Sequence, residues 1–376
     1  MSQLTAHFSA MANKIRGILA TQTQYTPTQM ISAIDDVYDA GYEAGGGGGG
    51  GDSYALGRMN LPIDSQNYAL NKMFVLNGIL YAAIIRGTVA GGWIYKYDES
   101  LGWVIASDTT FSIDRYTATI VYHDKVHFLG GTKTNTAVSR IHFSWDPLTD
   151  QITNYGQTPY VTAGCKAVVF QDKLCVMGGF ATTAISKYFY SWDESTDTWT
   201  QEINLPQQFN TTSNYYNGNA VVYNNELHII GFGYSSDGKL NSSYMRMHYK
   251  LDANFTAWTM VETLADYFAS SQGWSNESAV VYNNKVYLMT PFCNYHVATD
   301  GSQDDLIWVW DGSSWTTIHY PSTNLGARII QSRSVEAVVF RDKIYFTTEH
   351  LYYNGGTTPV PRRGNLIAFN GTTFEF

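Results

Sequence analysis

Charge is scarce in this sequence. Only 15% of its 376 residues are Asp, Glu, Lys or Arg, against about 25% in typical globular proteins. Basic residues are the scarcer sign: 23 stand against 32 acidic ones, for a net charge of −9. That deficit excludes electrostatic attraction to nucleic acid or to an anionic membrane surface. Cysteine is almost missing. Cys165, Cys175 and Cys293 cannot all pair and none sits in a CxxC spacing, so neither a disulfide nor a zinc framework is expected. No apolar run approaches the roughly 20 residues of a helical membrane span. The opening MSQLTAHFSAMANKIRG lacks the basic-then-apolar plan of a secretory signal. The expectation is a soluble protein of a reducing compartment, with no membrane partner.

Aromatic residues, by contrast, are plentiful. With 28 Tyr, 18 Phe and 10 Trp they reach 15% of the chain, which disordered sequences do not. A break in composition falls at Gly45–Gly51, seven consecutive glycines. Such a run packs no side chains and reads as a flexible linker, reaching about 15 Å. Upstream, in residues 1–44, the apolar spacing is helical. Leu4, Phe8, Met11, Ile15 and Ile18 recur at intervals of four and three. Thr26, Pro27 and Gln29 then supply a cap, a first-turn proline and a capping box. Met30, Ile34, Val37 and Gly41 continue a second stripe. Two short helices bury little alone, so this head reads either as a hairpin packed on the rest or as an anchoring and oligomerisation module. The flexible linker favours the second.

Residues 52–376 repeat. AVVFQDKLCVMGG begins at Ala167, AVVYNNELHIIGFG at Ala220, AVVYNNKVYLMT at Ala279 and AVVFRDKIYFTT at Ala337. ATIVYHDKVHFLGG at Ala118 is the same unit, and KMFVLNGILYAAI at Lys72 a weaker one. Each is an apolar strand, a two-residue turn and a second apolar strand, a hairpin signal. The turn residues align as Asn77, Asp124, Asp172, Asn225, Asn284 and Asp342, spaced 47 to 59 residues apart. A second strand pair follows each hairpin, as in WIYKYDESLGW from Trp93, YFYSWDESTDTW from Tyr188 and LIWVWDGSSW from Leu306. Four strands per unit and six units predict a six-bladed β-propeller. Both the segment before Asn71 and the final TTFEF resemble outer-strand material, which leaves ring closure open.

Gly130-Gly131 and Gly178-Gly179 ending the hairpin, then Tyr/Trp-Asp and Trp, resemble kelch repeats. Blades five and six replace the double glycine with Thr290-Pro291 and Thr347-Thr348, so the family's functions carry over poorly. The head resembles the amino-terminal segment of bacteriophage tail and fibre proteins, through Ile15, Arg16, Tyr25, Thr26, Pro27, Met30, Ala33 and Ile34 ahead of poly-glycine. That likeness implies a virion protein of tail, baseplate or head fibre type, joined to other virion subunits through its helices. A homo-oligomer is implied, a trimer being common among such fibres.

Catalytic readings find little support. SWDESTDTW (Ser191 to Trp199) approaches the box of sialidase-like propellers, but its Trp comes one residue late and the Gly is missing. It reads as a blade turn. His127 and His228 share one register in different blades and are read as aromatic-layer residues rather than metal ligands. No HExxH or His-x-His occurs, and no metal or cofactor is expected. The Tyr, Cys and His set of the kelch-like copper radical oxidases does not assemble. Asp300, Asp304 and Asp305 form a polar loop whose carboxylates suit calcium but lack the ligand spacing of an EF-hand, so a solvated acidic loop is the default reading. Six residues before each turn lie Asn71, Ala118, Lys166, Asn219, Ser278 and Glu336, expected to rim a polar central channel.

Connections between second and third strands, and between blades, emerge on one face. Those of blades four to six are long, for example PFCNYHVATDGSQDD from Pro291 and EHLYYNGGTTPVPRRG from Glu349. Long loops are disproportionately functional, and these are rich in Tyr, Trp, Asn, Ser and Gly, the mix of recognition surfaces. The expected contacts are Tyr215, Tyr216, Trp274, Tyr295, Tyr352, Tyr353 and Arg362, for a host cell-surface glycan or protein. The alternatives are a glycan-degrading enzyme using Asp304, Asp305 or Glu336, and a structural decoration of the virion.

Overall fold

A computed structural model describes residues 68–86, 92–99, 101–107, 117–134, 137–160, 163–181, 184–206, 218–233, 245–264, 278–289, 306–319, 336–349, 352–353, 359–360 and 364–375. The expected helical head (1–44) and linker (45–51) lie outside them. All the sheets fall within the unit Tyr54–Phe376.

The described residues form six four-stranded antiparallel sheets, each a meander with its strands in chain order. Blade one is Tyr68–Leu76, Ile79–Arg86, Gly92–Asp98 and Gly102–Ser107. Blade two is Ala118–Tyr122, Lys125–Leu129, Ile141–Asp146 and Gln151–Gln157. Blade three is Lys166–Phe170, Lys173–Met177, Phe189–Asp193 and Thr198–Gln201. Blade four is Gly218–Tyr223, Glu226–Gly233, Met245–Leu251 and Trp258–Leu264. Blade five is Ser278–Tyr282, Lys285–Met289, Leu306–Trp310 and Trp315–His319. Blade six is Ala337–Phe340, Lys343–Glu349, Gly364–Phe369 and Phe374–Glu375.

The first strand of each blade packs on the first strand of the next, and that of blade six packs on blade one. The ring is a closed six-bladed propeller. Among the described residues no blade mixes strands from the two ends of the chain: Phe374–Glu375 completes blade six, and Tyr68–Leu76 is the innermost strand of blade one. Closure therefore rests on side-chain packing and ion pairs between whole blades.

Each first hairpin turns on two residues with positive φ, such as Asn224 and Asn225 (50° and 62°) or Asn283 and Asn284 (46° and 55°). Two successive left-handed residues match the right-handed strand twist, which is why Asn, Asp and Gly recur there. Blade one corrects the sequence alignment by one residue. Leu76 pairs with Ile79, so the turn is Asn77-Gly78 and Asn77 matches His123 rather than Asp124.

Burial runs outward in a gradient. The second strand of blade three, Lys173–Met177, is buried at four of five positions, since neighbouring blades cover both its faces. The fourth strand of blade two, Gln151–Gln157, is almost wholly exposed and correspondingly polar. The apolar core is divided into six clusters, one at each blade boundary. Leu227 and Ile229 of blade four meet Phe170 and Phe189 of blade three. Met73, Leu80 and Trp103 of blade one meet Phe340, Tyr345 and Leu366 of blade six. The closing boundary is thus as apolar as the others.

Candidate functional site

In a four-stranded meander the first and third strands run the same way. Second-to-third and blade-to-blade connections therefore share one face, and the tight turns share the other. The turn face is uniform. Its Asp or Asn residues cap their own turns: Asp146 accepts from Leu148 N at 2.8 Å, Asp193 from Ser195 N at 2.9 Å and Asp311 from Ser313 N at 2.8 Å. Such backbone bonds hold the carboxylate charged, and those from Ser314 and Ser313 pull Asp311 down to about 2.

The carboxylates of SWDESTDTW also have structural partners: Asp193 caps its turn, and Glu194 meets His123 Nδ1 of blade two at 2.7 Å. Trp192 is fully buried and its indole N–H donates to Asp197 at 3.0 Å. Trp145 does the same to Asp150 at 2.7 Å in blade two. These acids anchor a core tryptophan, a structural duty.

By sequence position the expected contacts belong to the second-to-third and blade-to-blade connections. Tyr215, Tyr216, Trp274, Tyr295 and Arg362, with Asp300, Asp304 and Asp305, lie outside the described residues. Tyr352–Tyr353 is described as a short strand pairing with Pro359–Val360. Blades two and three carry like hairpins there, Thr132–Thr134 with Ala137–Val138 and Phe180–Ala181 with Ala184–Ile185. These connections thus carry short two-stranded ribbons.

The inner ring differs from expectation in two ways. With the turn realigned, the blade-one member is Lys72, and Asn71 sits at an irregularity between Leu70 and Lys72. Lys72 Nζ lies 2.8 Å from Glu336 Oε2, so the two chain-distant blades meet through opposite charges. Ala118, Asn219 and Ser278 are buried, and the Ser278 hydroxyl accepts from Ala337 N of the next blade at 3.0 Å. These three positions pack blade on blade, while Lys72, Lys166 and Glu336 are only partly buried. Glu336, the acid of the enzyme alternative, is held by a lysine.

The histidines form an arrangement that register alone did not disclose. His127 and His228 do occupy equivalent buried positions, but each meets a second histidine across the sheet. His127 Nδ1 lies 3.1 Å from His142 Nε2, and His228 Nδ1 lies 2.7 Å from His248 Nε2. In each pair one neutral ring donates to the other. Burial pushes His127 and His228 down to about 4, and His142 and His248 down to about 3. Two tryptophans of the next blade cover each pair: Trp192 and Trp199 on His142, Trp310 and Trp315 on His248. Among the described residues no three His, Cys, Asp or Glu side chains converge as metal ligands. Cys165 and Cys175 are buried free thiols, and burial pushes Cys175 up to about 12, too high to supply a nucleophilic thiolate.

No protein-family model matches the chain, and no curated protein sequence matches it. Among solved structures, one titled "Structure of YjhT" superposes with a TM-score of 0.57 at 13% identity, over 84% of this chain and 99% of that one. At that identity the likeness is one of fold.

Proposed function

We propose that this chain is a bacteriophage virion protein of the tail or baseplate fibre type, a kelch-like propeller that binds a host cell-surface receptor, a glycan before a protein. The observation that carries the reading is the asymmetry of the two faces. One is built of tight, self-capped turns. The other bears paired ribbons and the long connections from Gly233 to Met245, Met289 to Leu306 and Glu349 to Gly364. A rigid ring that concentrates long, Tyr- and Asn-rich loops on one side is a scaffold for recognition. The head supports the virion part through its YTPTQM segment and poly-glycine, with the helices joining other virion subunits in a homo-oligomer. In this reading the propeller binds without catalysis and uses no metal or cofactor, and Glu336 serves the ring by pairing with Lys72.

The test incubates the purified full chain with a panel of bacterial cells and with their isolated wall glycans. Saturable binding that Trp274→Ala or Tyr353→Ala abolishes, without sugar release, supports the reading. Released sugar transfers the case to the enzyme alternative. Absence of binding to every strain and glycan overturns the receptor role.

A further inference from the structure

The described part of the connection face carries an aromatic patch. Tyr188 and Tyr190 stand two residues apart at the start of the third strand of blade three, so their side chains share one face of the sheet. Tyr160, in the connection from blade two, stacks on Tyr190 with centroids 5.4 Å apart and planes at 28°, and meets Tyr188 edge-on at 5.6 Å. Tyr188 is 39% exposed. Beside the rings, at the end of the fourth strand, Gln201 accepts from the Tyr190 hydroxyl at 3.2 Å and donates to Asn204 at 3.4 Å.

The rings are pre-ordered. The Tyr160 hydroxyl donates to the Gly178 carbonyl at 3.1 Å, and the Thr158 hydroxyl donates to the Tyr160 carbonyl at 2.8 Å. Arg140 Nε in turn donates to the Thr158 carbonyl at 2.7 Å. Part of the ordering cost on binding is therefore already met at Tyr160. The neighbouring Glu202 belongs to the opposite face, where it accepts from the Ser191 hydroxyl at 2.6 Å. None of the ion pairs among the described residues involves these five side chains.

We propose that Tyr160, Tyr188 and Tyr190, with the Gln201 and Asn204 amides, form a subsite for a neutral oligosaccharide of equatorially substituted pyranoses. The inference rests on the receptor-binding reading for its biological setting. Such a sugar presents axial C–H bonds on its ring faces, which suit tyrosine faces, and a belt of hydroxyls, which suit amides and phenols. All five side chains are uncharged and offer ring faces and hydrogen bonds rather than an ion pair, and the nearby Arg140 is engaged through its Nε at the Thr158 carbonyl. A protein partner needs about 800 Å² per side, far more than three rings offer.

The test titrates the full chain with N,N′-diacetylchitobiose and cellobiose as neutral probes and digalacturonate as the charged one, followed by saturation-transfer NMR. The expected result is saturable binding of a neutral probe, weakened about tenfold by Tyr188→Ala and little changed by Tyr188→Phe, which keeps the ring. Gln201→Ala, at an exposed strand end, weakens it less without touching the core. Binding of neither neutral probe overturns the subsite, as does a preference for digalacturonate. Binding lost in Trp274→Ala but kept in Tyr188→Ala also overturns it, while leaving the receptor reading intact. Cell adhesion, scored separately on the same variants, tells failure of the subsite from failure of that reading.

Discussion

The hydroxyl of Tyr223 donates across a blade boundary to the carbonyl of Asn284, 3.1 Å away, and stands 3.3 Å from that of Asp311. Tyr122 reaches Asp172 and Tyr282 reaches Asp342 in the same manner. Each tyrosine ends a first strand and ties it to the hairpin turn of the next blade. Burial, with Asp172 and Glu194 adding to it, pushes the Tyr122 hydroxyl up to about 12, so it remains a donor.

Tyr223→Phe should cost about 1 kcal/mol, the net worth of one such hydrogen bond, with the fold retained. Phe170 and Phe340 already occupy the equivalent positions in blades three and six. Tyr122→Phe should cost a similar amount, and the double variant should be additive because the boundaries are separate. Urea midpoints check this, and unchanged midpoints would remove the latch role.

Gly179 has φ +87°, and a Cβ there would meet the Ala163 carbonyl oxygen at 2.9 Å. Gly78 has φ +71° with nothing within 4 Å. Gly78→Ala should carry only the left-handed backbone penalty of about 1–2 kcal/mol, and Gly179→Ala that plus a backbone clash. Equal losses in denaturant melts would show that the double glycine serves no close approach.

Acid should loosen the propeller through its buried histidines. The four paired histidines hold folded values of about 3 and 4 against 6.5 unfolded. The unfolded chain takes up protons first, so stability complete above pH 6.5 is lost as pH falls toward those values. His123 works the other way. Hydrogen bonds to Glu194 and Asp172 raise it, so its contribution is present below pH 6.5 and lost as pH rises through its raised value. The melting temperature should drop between pH 6.5 and 4.5, and a His142→Phe/His248→Phe double variant should flatten that slope. A slope identical to the parent's would contradict the histidine assignment.

Lys72 and Glu336 join the first and last blades, half-buried at 35% and 19% side-chain exposure. A double-mutant cycle with Lys72→Met and Glu336→Gln should return a coupling of about 0.5–1 kcal/mol that shrinks with added salt. No coupling, or a coupling indifferent to salt, would mean the boundary closes on its apolar cluster alone.

What the sequence determined was local. Two-residue Asn/Asp turns between apolar strands have only a few backbone solutions, so six hairpins and four strands per repeat could be read from side-chain pattern. The one-residue slip at Asn77 has the same origin: Asn-Gly and His-Asp both make the turn, and only the pairing of Leu76 with Ile79 chooses between alignments. The tertiary structure decided what depends on which strands become neighbours. His142 lies 15 residues from His127 and Trp192 a blade beyond, and no spacing rule joins them until the sheets form and stack. Ring closure is likewise a long-range outcome. Lys72 and Glu336 meet because six twisted sheets, each burying both faces of its inner strands, bring the last blade round onto the first.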